Sequence, residues 1–160
     1  MKEKILTFLP VFYVYIVSLL ITLNLTFYYS LQTRISIIYF LGFFSLIFGV
    51  LKLIRFRGFV ESLLEYDVIS KKIKIYAYLY PFFEIIFGVL FILQREYLFL
   101  EYICLGFFLA NLVSVTLALE KRKQFYCACM EGLFQLPLSY ISLIENLTMI
   151  LGLVVLIYTR

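Results

Sequence analysis

Apolar residues in this chain fall into long runs that short polar segments separate. Residues 5–29 carry no charged side chain, and a run of about 25 residues is long enough to cross the hydrocarbon core of a bilayer with some tilt. Four further runs with few charges follow at 36–54, 76–93, 98–119 and 139–158. The pattern predicts five transmembrane segments.

These segments are predicted to be α-helices. In lipid every backbone N–H and C=O group needs a partner, and a helix supplies all of them within one segment. Strands of a transmembrane barrel would alternate apolar and lumen-facing polar residues, and the runs show no such alternation. We therefore expect an all-α polytopic membrane protein with a single transmembrane domain over residues 1–160.

The first run has an alternative interpretation as a secretory signal peptide, because Lys2 and Lys4 precede it. However, the run is longer than the roughly 7–15 apolar residues of a signal-peptide core, and no A-x-A-like cleavage site follows it. We expect it to be retained as a transmembrane helix.

Residues 55–75 form a polar stretch between the second and third runs, and apolar residues recur in it at helical spacing. This periodicity predicts a short amphipathic helix on the membrane surface. An ordinary solvated loop is the alternative. The apolar positions are Phe56, Phe59, Val60, Leu63 and Leu64, and the charged positions are Arg57, Glu61, Glu65, Lys71, Lys72 and Lys74.

The net charge of +4 has the sign that nucleic acid would attract, but the basic residues are concentrated on alternate loops. That distribution indicates membrane topology and no nucleic-acid partner. It places the N-terminus in the cytoplasm and the C-terminus outside a bacterial-type inner membrane. Lys2, Lys4, Arg55, Arg57, Lys71, Lys72, Lys74, Lys121, Arg122 and Lys123 lie on the N-terminal side, and Arg34, Arg95 and Arg160 lie on the other.

The composition excludes a water-soluble globule. Hydrophobic residues make up 64% of the chain and charged residues 15%, whereas soluble domains average about 45–50% and about 25%. The chain contains no histidine, which excludes a Ser-His-Asp triad, an imidazole-ligated haem and an H-E-x-x-H zinc site for the chain acting alone. Any chemistry must use thiols, carboxylates or a borrowed cofactor.

Two closely spaced cysteines are the strongest candidates for redox or metal chemistry. Cys127 and Cys129 have one residue between them, so their sulfurs can close a small disulfide ring or hold a soft ion such as Cu(I). Met130 adds a third soft ligand. We predict catalytic thiols or a soft-metal site here. The alternative is that both cysteines are small buried apolar residues.

Four polar residues stand out inside the predicted spans: Lys52, Glu84, Asn111 and Glu145. Lys52, Glu84 and Glu145 would each cost roughly 2.5–3.5 kcal/mol to insert into the hydrocarbon, so such residues usually face the bundle interior and pair with one another. We expect Lys52, Glu84 and Glu145 to converge below the cysteine loop on a pocket for a proton, a metal or a quinone headgroup. A purely structural pair of Lys52 with a carboxylate is the alternative.

Glycines in the predicted spans are expected to allow close approach of neighbouring helices. They are Gly42, Gly49, Gly88, Gly106 and Gly152.

A set of short motifs occurs in order along the chain. Through these motifs, about residues 36–158 resemble the DoxX / MauE family of redox-associated membrane proteins. The resemblance implies a four-helix transmembrane bundle, to which residues 5–29 add an N-terminal helix. It also implies quinone-linked or thiol redox chemistry, including disulfide formation in partner proteins. The motifs are G-V-L-K from Gly49, F-V-E-S-L-L-E-Y-D from Phe59, Y-P-F-F-E-I-I-F-G from Tyr80, C-A-C from Cys127, L-P-L-S from Leu136 and I-E-N-L-T-M from Ile144.

The leading hypothesis is a redox-associated membrane protein that handles thiol–disulfide exchange or a soft metal at Cys127 and Cys129, with a thiol-redox partner and a quinone or Cu(I) as candidate cofactors. A second hypothesis is a non-catalytic accessory or assembly subunit bound to other membrane subunits. A third, a small metal or solute transporter, is less favoured because five spans show no inverted repeat.

Overall fold

The computed structural model describes residues 2–94, 98–120 and 138–159, and every regular element in that part of the chain is an α-helix. Five helices are long and apolar enough to cross a membrane, which confirms the predicted all-α polytopic membrane fold in a lipid bilayer. These spans are α1 (Lys2–Tyr29), α2 (Thr33–Ile54), α5 (Lys74–Ile92), α6 (Leu98–Glu120) and α7 (Leu138–Tyr158), and two shorter helices are α3 (Phe56–Tyr66) and α4 (Val68–Lys72).

Helices α2 and α5 form the closest pair, because glycine lets their backbones touch. A Cβ atom added to Gly88 would lie 2.8 Å from the carbonyl oxygen of Gly42 and 2.8 Å from the backbone nitrogen of Leu46. Backbone atoms cannot move aside as a flexible side chain can, so this contact fixes the register of the two helices. The register brings Lys52 near the end of α2 alongside Glu84 in the middle of α5.

Three other glycines differ in how closely a neighbouring helix approaches them. A Cβ on Gly49 would lie 3.1 Å from the carbonyl oxygen of Pro81, and one on Gly152 would lie 2.5 Å from the side chain of Leu41. Gly106 has no heavy atom within 4 Å of such a Cβ. The expectation of close helix approach is therefore confirmed at Gly49 and Gly152 and is wrong at Gly106.

Aromatic rings fill the interface between α5 and α6. The ring centroid of Phe107 on α6 lies 4.7 Å from that of Tyr80, 5.5 Å from that of Phe87 and 5.9 Å from that of Phe83. Such pairs are worth about 0.5–1.5 kcal/mol each beyond the area they bury. They hold Tyr80 in the bundle interior, where its side chain is 1% exposed.

Helix α1 packs mainly on α2, and a hydrogen bond between the Tyr15 hydroxyl and Thr148 joins it to α7. Much of its remaining surface faces outward, since Phe12 is 68% and Phe27 92% exposed. An apolar groove of about 550 Å³ runs between α1 and α7. It is lined by Val11, Phe12, Tyr15, Ile16, Leu19 and Ile144.

The predicted amphipathic helix is present as α3, which is followed by the short α4. Its apolar residues Phe59, Val60 and Leu63 are at most 4% exposed, because they pack into the bundle, whereas Glu61 and Glu65 are exposed. Helix α3 thus covers the end of the bundle at which α2 ends and α5 begins. We refer to this end as the α3 end.

Candidate functional site

Three different spans bring the predicted ionisable residues together. The ammonium nitrogen Nζ of Lys52 on α2 forms ion pairs with Oε1 of Glu84 on α5 and, at 2.6 Å, with Oε1 of Glu145 on α7. The three side chains are 5%, 0% and 3% exposed, respectively. We refer to these three residues as the Lys52 cluster.

The Lys52 cluster lies inside three of the candidate membrane spans, and two of its three residues, Lys52 and Glu145, are nearer to the α3 end. Glu84 follows the first residue of α5 by ten positions, which places it about 15 Å along the helix at 1.5 Å per residue. Glu145 lies seven positions into α7, or about 10 Å. Lys52 is two residues from the end of α2, and its long side chain reaches the carboxylates from there.

Aromatic rings surround the ammonium group on its other sides. Lys52 Nζ lies 5.0 Å from the ring centroid of Tyr80, 5.5 Å from that of Phe59 and 5.8 Å from that of Phe48. Rings at these distances attract a cation through their negative faces. They also exclude water, which strengthens the ion pairs by lowering the local dielectric constant.

The Lys52 cluster contains one more acidic group than basic groups. With both carboxylates ionised it would carry one net negative charge inside the membrane, where uncompensated charge is expensive. Oε2 of Glu84 is also buried without a hydrogen-bond partner among the described residues. The arrangement can therefore hold and release one proton, or take up one cation.

A second polar network lies against the Lys52 cluster and joins α5, α6 and α7. The amide nitrogen of Asn111 donates to the Tyr80 hydroxyl at 2.6 Å and to Oδ1 of Asn146 at 3.2 Å. Asn146 in turn donates to the carbonyl oxygen of Ser142 at 2.6 Å. The one-turn spacing of Tyr80 and Glu84, and the contact of the Tyr80 ring with the ammonium group of Lys52, place this network beside the cluster.

A family model described as "Methylamine utilisation protein MauE" matches residues 25–159. The chain belongs to the MauE family. The matched region contains the whole Lys52 cluster and all of α2 to α7. No curated protein and no solved structure matches this MauE-family chain.

Cys127, Cys129 and Met130 lie outside the described residues, so their position relative to the Lys52 cluster stays a prediction. The chain of this MauE-family protein leaves α6 at Glu120 and begins α7 at Leu138. In the described part, Cys104 is a free thiol buried in the core. No group of three or more His, Cys, Asp or Glu side chains that could hold a metal occurs within the described ranges.

Sequence reasoning missed two members of the polar network in this MauE-family protein, Tyr80 and Asn146. A signal was available for the first, because Tyr76, Tyr80 and Glu84 recur every four residues and therefore share one face of α5. Asn146 directly follows Glu145, but adjacent residues do not share a helix face, so no comparable periodicity marks it.

Proposed function

We propose that this protein is a redox-associated membrane protein in which thiol–disulfide exchange at Cys127 and Cys129 is coupled to proton transfer at the Lys52 cluster. The observation that supports the proposal is an ammonium group shared by two carboxylates at hydrocarbon depth. The family model is described as a methylamine utilisation protein. We propose that this member supports a methylamine-utilising system by redox chemistry, and that it does so in a bacterial-type inner membrane.

The chemistry balances in two steps. A disulfide between Cys127 and Cys129 takes two electrons from a dithiol of a partner protein, so that the partner gains a disulfide and two protons end on the cysteine sulfurs. Reoxidation passes two electrons and two protons to a membrane quinone as substrate, which becomes a quinol. Each cycle thus moves two protons at the bilayer, and carboxylates within the membrane are suited to accept and return them.

The apolar groove between α1 and α7 is consistent with a membrane-soluble acceptor. Its lining is almost entirely apolar, as sites for such molecules usually are, and it includes Tyr15. The hydroxyl of Tyr15 contacts Thr148 on α7, and Ile144, the residue next to Glu145, also lines the groove. The groove therefore lies beside the helix that carries Glu145.

A second candidate is a non-catalytic accessory subunit. It is favoured by the way in which Lys52 ties three spans together, which a purely structural element would also do, and by the outward-facing aromatic residues of α1. A structural ion pair, however, needs one carboxylate for one lysine, and the second costs about 2.5–3.5 kcal/mol to insert.

The test uses the purified protein in liposomes, with thiols trapped by a mass tag at defined potentials. We expect a reversible two-electron couple at Cys127 and Cys129 whose midpoint falls by about 59 mV per pH unit, because two protons accompany two electrons. Glu84→Gln should slow reoxidation by a water-insoluble quinone by about a hundredfold, since it removes a positioned proton acceptor. Glu101→Gln is the matched control, because Glu101 is also buried in a span but pairs with Arg34.

Three results would overturn the proposal. Quinone reduction at the wild-type rate after Cys127→Ser and Cys129→Ser together would remove the thiols from the mechanism. Stoichiometric Cu(I) bound by the wild type and lost from that double variant, without any redox turnover, would instead establish soft-metal handling. If Glu84→Gln reoxidises at the wild-type rate but a partner complex fails to assemble with this variant, the accessory-subunit hypothesis would be favoured.

A further inference from the structure

Several buried polar atoms have no hydrogen-bond partner among the residues the structure describes, and they extend from α4 to the Lys52 cluster. In native proteins the great majority of buried polar atoms are paired with protein or with ordered water. Unpaired donors and acceptors on neighbouring elements therefore point to a ligand that both donates and accepts hydrogen bonds. The atoms are Oδ1 of Asp67, Oγ of Ser70, the hydroxyl of Tyr76, Oδ1 of Asn111 and Oε2 of Glu84.

Asp67 forms the outer end of this series. It joins α3 to α4, is 0% exposed, and its Oδ2 accepts a hydrogen bond from the backbone nitrogen of Ser70 at 2.6 Å. The next residue, Val68, donates its backbone N–H to Oγ of Ser114 on α6 at 3.3 Å. These bonds fix the junction against the bundle. Asp67 is nevertheless only two residues from Glu65, whose side chain is exposed.

Tyr76 connects Asp67 with the interior. Tyr76, Tyr80 and Glu84 are spaced by four residues and so share one face of α5. The rings of Tyr76 and Tyr80 meet edge to face with centroids 5.8 Å apart. Tyr76 lies in the first turn of α5, which packs on α4. Its hydroxyl is buried without a hydrogen-bond partner among the described residues.

The inner end of the series reaches the Lys52 cluster through Tyr80 and Asn111. Their hydrogen bond is 2.6 Å long, and the Tyr80 ring contacts the ammonium group of Lys52. Polar groups of Asp67, Tyr76, Tyr80 with Asn111, and the Lys52 cluster therefore follow one another from the α3 end inward.

We propose that bound water molecules bridge these atoms and that the series is a proton path from the α3 end to Glu84, with Asp67 as its first proton acceptor. The inference rests on the proposed function, because it names the route by which a proton reaches the Lys52 cluster. A proton passes from solvent to Asp67, then along the hydroxyl groups and bridging waters to Glu84, and no electron moves. Among the described residues, the titratable groups that form ion pairs or ring contacts in the cluster are Lys52 on α2, Tyr80 and Glu84 on α5, and Glu145 on α7.

The test measures how fast the buried carboxyl groups gain a proton. Protein in lipid films is subjected to a pH step, and the infrared band of protonated carboxyl groups is followed in time. The band of the Lys52 cluster is identified by its loss in Glu84→Gln and Glu145→Gln. We expect Asp67→Asn and Tyr76→Phe each to slow its response by about a hundredfold, the lower part of the range that a positioned proton-transfer group contributes.

The variants are chosen to preserve the fold. Asparagine caps a helix as well as aspartate does, and phenylalanine retains the ring that packs on Tyr80. Should Asp67→Asn fail to fold, Tyr76→Phe alone decides the result. Glu65→Gln is the matched control, because it removes an exposed carboxylate two residues from Asp67, and it should leave the rate unchanged.

The outcomes separate the two proposals. A cluster band that responds at the wild-type rate in Asp67→Asn and Tyr76→Phe would overturn the path and leave the proposed function standing. A spectrum in which no titrating band depends on Glu84 or Glu145 would overturn both, because the cluster would then hold no exchangeable proton.

Discussion

Lys52 is the residue on which the interior charge balance depends. It is 4% exposed and supplies the cation for two carboxylates from different helices. Removing one partner of a buried ion pair destabilises the fold far more than replacing both partners with uncharged residues. The charge that remains has neither water nor a counterion.

We predict that Lys52→Met lowers the free energy of unfolding by about 3–5 kcal/mol, because it leaves two carboxylates in one apolar space. Combining it with Glu84→Gln and Glu145→Gln should restore much of the loss. The measurement is reversible unfolding in mixed micelles. Arg57→Met is a control at an exposed cation, where the expected change is within about 0.5 kcal/mol. Equal losses in the two single variants would contradict the prediction.

At this scale the Lys52 cluster was predictable and the polar network was only partly so. A charge within an apolar run is conspicuous, and its insertion cost requires a partner. Tyr80 and Asn146 carry no comparable signal, because hydroxyl and amide side chains are tolerated in spans and their partners depend on helix rotation. Asn111 was recognised as an interior polar residue, but its bonds to these two were not.

At the scale of helices, contact between the α2 and α5 backbones positions the Lys52 cluster. Gly88 is the point at which a methyl group would meet backbone atoms of Gly42 and Leu46. Overpacking of this kind typically costs about 1–3 kcal/mol. It would also move α5 away from α2 and lengthen the bond between Lys52 and Glu84.

We therefore predict that Gly88→Ala lowers the free energy of unfolding by about 1–3 kcal/mol and weakens the coupling between Lys52 and Glu84. The coupling is measured by a double-mutant cycle of Lys52→Met and Glu84→Gln in each background. Gly106→Ala is the matched control, because its Cβ would meet no heavy atom within 4 Å. It should be neutral or slightly stabilising, and a loss as large as that of Gly88→Ala would count against close packing as the cause.

The position of α3 illustrates what a hydrophobic pattern leaves open. The periodicity over 55–75 predicts an apolar helix face, but lipid and protein satisfy such a face equally well. The structure buries Phe59 and Leu63 within the bundle, and Phe59 contacts the ammonium group of Lys52. Only the positions of the neighbouring helices decide between the two environments.

At the scale of the whole molecule, the five spans were predictable because each is a long run with few charges. Their packing order was not, since in a bilayer the outward faces are as apolar as the inward ones. Phe12 is 68% exposed and Phe44 0%, yet composition does not distinguish them. The relation of Cys127 and Cys129 to the Lys52 cluster likewise stays a prediction.

The distribution of basic residues predicts that the N-terminus is cytoplasmic and the C-terminus outside, in keeping with an odd number of candidate spans among the described residues. In a background with the native cysteines replaced by serine, Thr159→Cys and Ser30→Cys should react with an impermeant maleimide in intact cells. Lys2→Cys and Lys71→Cys should react only after permeabilisation. Labelling of the first pair only in opened cells would reverse the orientation.

The depth of Glu84 makes its charge state sensitive to voltage. Glu84 lies about 15 Å along α5, roughly half of a hydrocarbon layer that is about 30 Å thick. A proton that reaches it from the α3 end crosses roughly half of the transmembrane field, which amounts to about 1.2 kcal/mol for each 100 mV. With that end in a negatively polarised cytoplasm, the electric field opposes loading of Glu84 and favours release, so an energised membrane would itself regulate when the buried carboxylate is filled.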